Sequence, residues 1–235
     1  MVDGTASGNP ESWMLPDDWA TAMEARGVDL SALYDAVDCI FRDAGPGGVS
    51  PRDRGDVFRA FHKTPVASLR VVILGEDPYP DPDQANGLAF SVSDSYIGPR
   101  PTSLGRIFGS LRRDLNLVPS RDDLTSWAER GVLLLNVALT HTVGNSVPDV
   151  GTWGGFITAV VQTVNDKPAP VAWLLWGDFA VNLADSIPLD NGEHKRFENA
   201  HPRAGRANRP LLRAKPPFSA ASAFLGSDPL IDWAV

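Results

Sequence analysis

Apolar positions along this chain fall into two alternating patterns. Leu30, Leu33, Val37, Ile40 and Phe41 recur at spacings of three, four, three and one, the stripe of an amphipathic helix. LRVVILG, from Leu69 to Gly75, is instead a continuous apolar run stopped by glycine, as expected of a strand buried on both faces. Leu104, Ile107, Phe108, Leu111 and Leu115 predict a second helix, opened by the Thr102–Ser103 pair after Pro101. GVLLLNVAL, Gly131 to Leu139, predicts a second buried strand, with a helix near Trp153 to Asn165 after it. VAWLLWG, Val171 to Gly177, predicts a third, followed by a helix toward Ser186. KRFENA, Lys195 to Ala200, predicts a weaker fourth strand, and PPFSAASAFLG a closing helix.

Strands alternating with helices predict an α/β fold: a three-layer sandwich with a central, mostly parallel four-stranded sheet and helices on both faces. The polar opening residues predict a flexible tail over 1–15, ahead of a single domain over 16–235. In such sheets ligands bind beyond the carboxyl ends of the strands. There the sequence puts Glu76, Asp77 and Tyr79 of the turn GEDPYP, then Asn136, the Gly177–Asp178 pair and His201. Each has an ordinary structural explanation on its own: a tight turn, a satisfied core amide, a loop histidine. An acid, an amide and an imidazole converging on one rim, with Phe90 nearby, point together to a pocket.

Composition narrows the function. With 235 residues and 43% hydrophobic content the chain is large enough for a full core. The net charge of −8 argues against a protein that coats nucleic acid by bulk attraction. Yet no acidic residue occurs from Asn199 to Ser227, where Arg203, Arg206, Arg209, Arg213 and Lys215 crowd together. An acidic body with one basic stripe suits a focused contact with a polyanion. The single cysteine, Cys39, excludes an internal disulfide and multi-cysteine metal sites, and its place in an apolar helical pattern predicts a buried core thiol. The opening MVDGTASGNPES lacks the basic start and apolar centre of a secretory leader, and no apolar run approaches membrane-spanning length. The expectation is a cytoplasmic protein with no membrane partner.

Six segments then occur in order: GEDPYP (75–80), GLAFSV (87–92), GVLLLN (131–136), LLWG (174–177), His201-Pro202 and IDW (231–233). Together they resemble the main (family 1) type of uracil-DNA glycosylase, whose patterns read GQDPYH, GLAFSV, GVLLLN, LLWG and HPSPLS. The resemblance spans about Leu69 to Trp233. It implies a monomeric repair enzyme that flips uracil out of DNA and hydrolyses its N-glycosidic bond, leaving an abasic site in base excision repair. It further implies Asp77 and His201 as catalytic residues, with Glu76, Tyr79, Phe90 and Asn136 holding the base. The loop IGPRPTSL (97–104) resembles the family's DNA-compressing loop, which implies DNA contacts from Pro99, Pro101 and Ser103. No metal or organic cofactor is implied, and the partner is uracil-containing DNA, single- or double-stranded.

Departures from the pattern are as specific as the match. Glu76 stands for the usual glutamine, Pro80 for a histidine that touches DNA phosphate, and Asp178 for a serine after LLWG. After His201-Pro202 the chain reads Arg203-Ala204-Gly205-Arg206, with Gly205 where the family carries a leucine that wedges into the duplex. Arg203, Arg206 and Arg209 are candidates to replace serine–phosphate contacts and to fill the vacated stack. Two alternatives stay open from the sequence: a glycosylase with altered base preference, and a DNA- or base-binding protein with attenuated catalysis.

Overall fold

The computed structural model describes residues 13–145, 149–186, 193–204, 211–212, 214–226 and 231–234. Helices α1 (Asp17–Glu24) and α2 (Leu30–Ala44) lead to a short strand β1 (Val49–Ser50) and helix α3 (Arg59–Lys63). The βα alternation then begins with β2 (Val71–Gly75), α4 (Thr102–Leu115), α5 (Thr125–Glu129) and β3 (Val132–Asn136). Strand β4 (His141–Thr142), α6 (Val150–Asn165), β5 (Ala172–Trp176), α7 (Asp178–Ser186), β6 (Lys195–Asn199) and α8 (Phe218–Leu225) complete it.

The main sheet has the order β3-β2-β5-β6, and every pairing in it is parallel. Every residue of β2, β3 and β5 is buried. Side chains alternate between the two faces of a strand, so complete burial requires cover on both faces. Helices α3 and α5 pack on β3, while α7 and α8 pack on β5. Edge strand β6 is exposed or half-exposed at every residue except Asn199, as its polar composition predicts. All four predicted main strands and the helices between them occur where the apolar pattern puts them. The pattern did not predict the two-residue strands β1 and β4, which pair antiparallel apart from the main sheet. Their length offers no periodicity to read.

Two expectations are corrected. Trp13 is only 6% exposed and Leu15 is buried with it, so the end of the expected 1–15 tail belongs to the core. Trp13 packs edge-on to Tyr34 and stacks near Phe58, and the Arg54 guanidinium lies 4.3 Å above its ring. Residues 1–12 lie outside the described residues. Cys39 is half-buried rather than a core thiol, and its Sγ accepts a hydrogen bond from Arg42 at 3.0 Å. The apolar stripe of α2 is carried by Leu30, Leu33 and Val37, and the last turn rolls outward.

The terminal IDW segment closes the far side. Trp233 meets Trp127 and Phe218 edge-to-face at 5.2 and 5.0 Å between ring centres. Its carbonyl accepts from Trp127 Nε1 at 2.9 Å, and its own Nε1 donates to Ser222 Oγ at 3.0 Å. This ties α5 to α8 across the chain terminus. Trp233→Ala is therefore expected to destabilise the fold by about 3–5 kcal/mol, lowering Tm by roughly 10 °C. A calorimetric scan of both proteins checks this, and an unchanged Tm would mean that the terminal clamp carries no stability.

Candidate active site

The carboxyl ends of β2 and β3 open into a cavity of about 550 Å³, lined by Gly75 to Pro80, Phe90, Asn136, His141, His201 and Arg203 among others. The pairing of β2 with β3 brings Gly75 opposite Asn136. A Cβ on Gly75 would stand 2.2 Å from Asn136 Oδ1, so glycine is required for the amide to occupy its place. Asn136 is 6% exposed, and its side chain makes no hydrogen bond among the described residues. A buried amide normally finds a partner within the protein. Here the residue lines the cavity instead.

Phe90 holds a left-handed backbone conformation, φ 65°, which is unusual for a bulky residue. The strain is fixed from several sides. Ala89 N–H donates to Leu134 O, Ser91 N–H to Leu88 O, and the Tyr79 hydroxyl to Phe90 O at 2.9 Å. The Phe90 ring consequently sits 5.4 Å from Trp176 and 6.3 Å from His201. Tyr79 is pinned at both ends, because its own carbonyl accepts from Ser50 Oγ at 2.5 Å. Burial pushes its phenol up to about 12, so it stays a neutral donor.

His201 follows β6, and its Nδ1 accepts from the Arg203 backbone N–H at 3.1 Å. That bond leaves the proton of a neutral ring on Nε2. Burial lowers the pKa of His201, and the neighbouring Arg203 charge lowers it further, against the opposing pull of Asp77. The ring is therefore a neutral Nε2–H donor at neutral pH. Gly177 supports this placement: its φ is +103°, and a Cβ there would meet His201 Cβ at 3.0 Å. Arg106 of α4 reaches across to donate to the carbonyls of Pro202 and Ala204, both at 2.9 Å. Sequence reasoning missed this arginine, whose spacing on a helix carries no sign of its distant partners.

Asp77 lies half-buried at the rim, and desolvation raises its pKa. The opposing influence is His141, whose Nδ1 is 3.0 Å from Asp77 Oδ2. His141 was also missed. It follows Asn136 by five positions, beyond the apolar run that drew attention to the amide. Glu76 is exposed at the edge of the cavity, its own pKa raised by burial and by the Asp77 charge.

Of the predicted site residues, the fold brings Glu76, Asp77, Tyr79, Phe90, Asn136, Ser103, His201 and Arg203 to one cavity. Ser103 is tied to the cavity wall. It is 4% exposed, and its hydroxyl lies 3.2 Å from the Tyr79 hydroxyl. Because Tyr79 spends its proton on Phe90 O, Ser103 donates to Tyr79 and props that ring. It does not cap α4, which starts after Pro101 without a side-chain cap. Pro99 is exposed and Pro101 half-exposed, both in the loop outside the cavity wall. Gly205, Arg206, Arg209 and Arg213 lie outside the described residues.

No family model matches the chain. Among curated proteins, the uracil-DNA glycosylase of Streptococcus thermophilus is 44% identical over 186 residues, covering 78% of this chain and 82% of that protein. The uracil-DNA glycosylase of Streptococcus equi subsp. zooepidemicus is 43% identical over 213 residues, covering 89% and 95%. Among solved structures, that of mimivirus uracil-DNA glycosylase superimposes with a TM-score of 0.80 at 21% identity, covering 95% of this chain and 88% of that one. That last likeness is one of fold.

Ionised Asp77 is disfavoured by the folded state, so its folded pKa lies above its unfolded one and its contribution to stability falls as pH rises through that window. Asp77→Asn is expected to match or exceed the wild-type Tm at pH 7.5, with the gap closing near pH 4. A lower Tm for the variant at pH 7.5 would mean that the carboxylate stabilises the fold.

Proposed function

The chain belongs to the uracil-DNA glycosylase family, and from that premise we propose how its cavity releases uracil from DNA. The activity is a hydrolysis in base excision repair: the bond between uracil N1 and the sugar C1′ breaks, water adds at C1′, and free uracil leaves an abasic site. A base inside a duplex is out of reach, so the nucleotide is first extruded into the cavity.

The observation that carries the assignment of roles is the unpartnered amide of Asn136 at the cavity floor. Asn136 Oδ1 accepts from uracil N3–H, and Nδ2 donates to uracil O4. Cytosine presents the reverse pattern and leaves buried groups unpaired, which is a strong basis for rejection. Phe90 supplies a face for stacking, an interaction of about 1–3 kcal/mol where single-stranded bases stack on aromatic side chains. Tyr79 stands against C5, the position where thymine carries a methyl group.

Cleavage places negative charge on the departing base and positive charge on the sugar. His201 Nε2–H donates to uracil O2, and the neutral ring serves because a fixed donor aimed at developing charge needs no net charge of its own. Asp77 in its ionised form stabilises the sugar cation and orients the attacking water. The acidic rim repels the anionic DNA backbone, so basic side chains of the protein must meet the phosphates, and exposed Arg203 beside the cavity makes one such contact. Arg206 and Arg209 continue the same stripe along the sequence, and Pro99 and Pro101 stiffen the loop that faces the backbone.

Uracil release from labelled single-stranded and duplex oligonucleotides, scored by alkaline cleavage at the abasic site, tests these roles. Asp77→Asn and His201→Ala are each expected to lose about 10²–10⁴-fold in turnover. Near wild-type turnover in either variant would remove that residue from the chemistry. Tyr79→Ala is expected to release thymine from the same oligonucleotides. Intact uracil release with no thymine release would assign the guarding of C5 to another group.

A further inference from the structure

His141 opens β4 directly beneath the rim of the cavity, and the segment around it is unusually well fixed. Ser50 is its partner across the β1–β4 pair, and Val143 N–H donates to Gly48 O at 2.8 Å. On either side of His141 in sequence, the hydroxyls of Thr140 and Thr142 both donate to Asp149 at 3.1 Å. Thr140 Oγ1 in turn accepts from Trp153 Nε1 at 3.0 Å. The same small sheet reaches the other wall of the cavity, because Ser50 holds the Tyr79 carbonyl.

This framework presents one ring nitrogen to one carboxylate oxygen. His141 Nδ1 lies 3.0 Å from Asp77 Oδ2, with the two side chains 8% and 27% exposed. Two acceptors at that distance would repel, so Nδ1 carries the proton and donates to the carboxylate. A histidine that merely fills the core would be satisfied by backbone or by another structural group. This one spends its donor on the acid at the mouth of the reaction cavity.

We propose that His141 is a positioning residue for hydrolysis: it ties down Asp77 Oδ2, leaving Oδ1 to face the sugar and the attacking water. The inference rests on Asp77 being the carboxylate at the sugar. It explains how a half-buried acid on a turn, with Pro78 after it and the exposed Glu76 before it, keeps one orientation. The contact also favours the ionised acid against desolvation and against Asp149, while Glu76 and His201 feel the same charge. Without the imidazole, the acid limb of the pH–kcat profile moves to higher pH.

Two variants separate positioning from packing. Asparagine carries an amide nitrogen where His141 has Nδ1, whereas glutamine reaches to the place of Nε2. His141→Asn is expected to keep kcat within about tenfold of wild type. His141→Gln is expected to lose about 10²-fold in kcat, with KM little changed and the acid limb shifted upward. Adding His141→Gln to Asp77→Asn is expected to cost nothing further, since the carboxylate that the ring would orient is already gone. Equal kcat in the two His141 variants, or a full additional loss in the Asp77→Asn background, would overturn the proposal. Wild-type turnover of Asp77→Asn itself would instead overturn the role of Asp77, a distinct result.

Discussion

One close approach organises the active site. Gly75 and Asn136 end adjacent parallel strands in register, and the amide oxygen of Asn136 occupies the space that any side chain on Gly75 would need. The register is set by the burial of both strands on both faces, since a slip by one residue would exchange the two sets of side chains. The amide is thus held at the cavity floor by the core itself. From that point the turn after Gly75 carries Asp77 and Tyr79 to the rim, and the strained Phe90 closes the opposite side.

Asp77 and His201, the two groups proposed to act on the bond, are tuned in opposite senses by the same half-buried setting. Desolvation disfavours the charged form of each, which keeps His201 neutral but works against an ionised Asp77. The fold answers at each residue with a specific contact. The Arg203 backbone N–H selects the tautomer of His201 that donates into the cavity. The His141 ring supports the charge on Asp77. Such an arrangement costs stability at the site and is sustained by the aromatic core elsewhere, where Trp127, Phe218 and Trp233 interlock.

The charge distribution fits the proposed division of labour. An acidic protein repels a polyanion over most of its surface, and the exposed Arg203 beside the cavity is the basic group that the fold places at the mouth. Arg106, which is otherwise a candidate for the same role, is committed to the carbonyls of Pro202 and Ala204. Its charge holds the segment after His201 in place.

The order of strands and helices was legible in the sequence because burial on two faces writes itself as uninterrupted apolar runs such as Val71–Gly75 and Val132–Asn136. The residues at the ends of those runs were legible for a related reason: in a parallel sheet all carboxyl ends meet at one edge, so Asp77, Asn136 and His201 had to be neighbours. Tertiary structure alone decided the roles of residues whose partners are remote. Ser103 reads as a residue at the start of a helix until its hydroxyl lies 3.2 Å from that of Tyr79, 24 positions away. His141 reads as one polar residue after a strand until Asp77, 64 positions earlier, lies 3.0 Å away. Local periodicity records which face of an element is buried, whereas a single directed hydrogen bond between distant segments leaves no period in the chain.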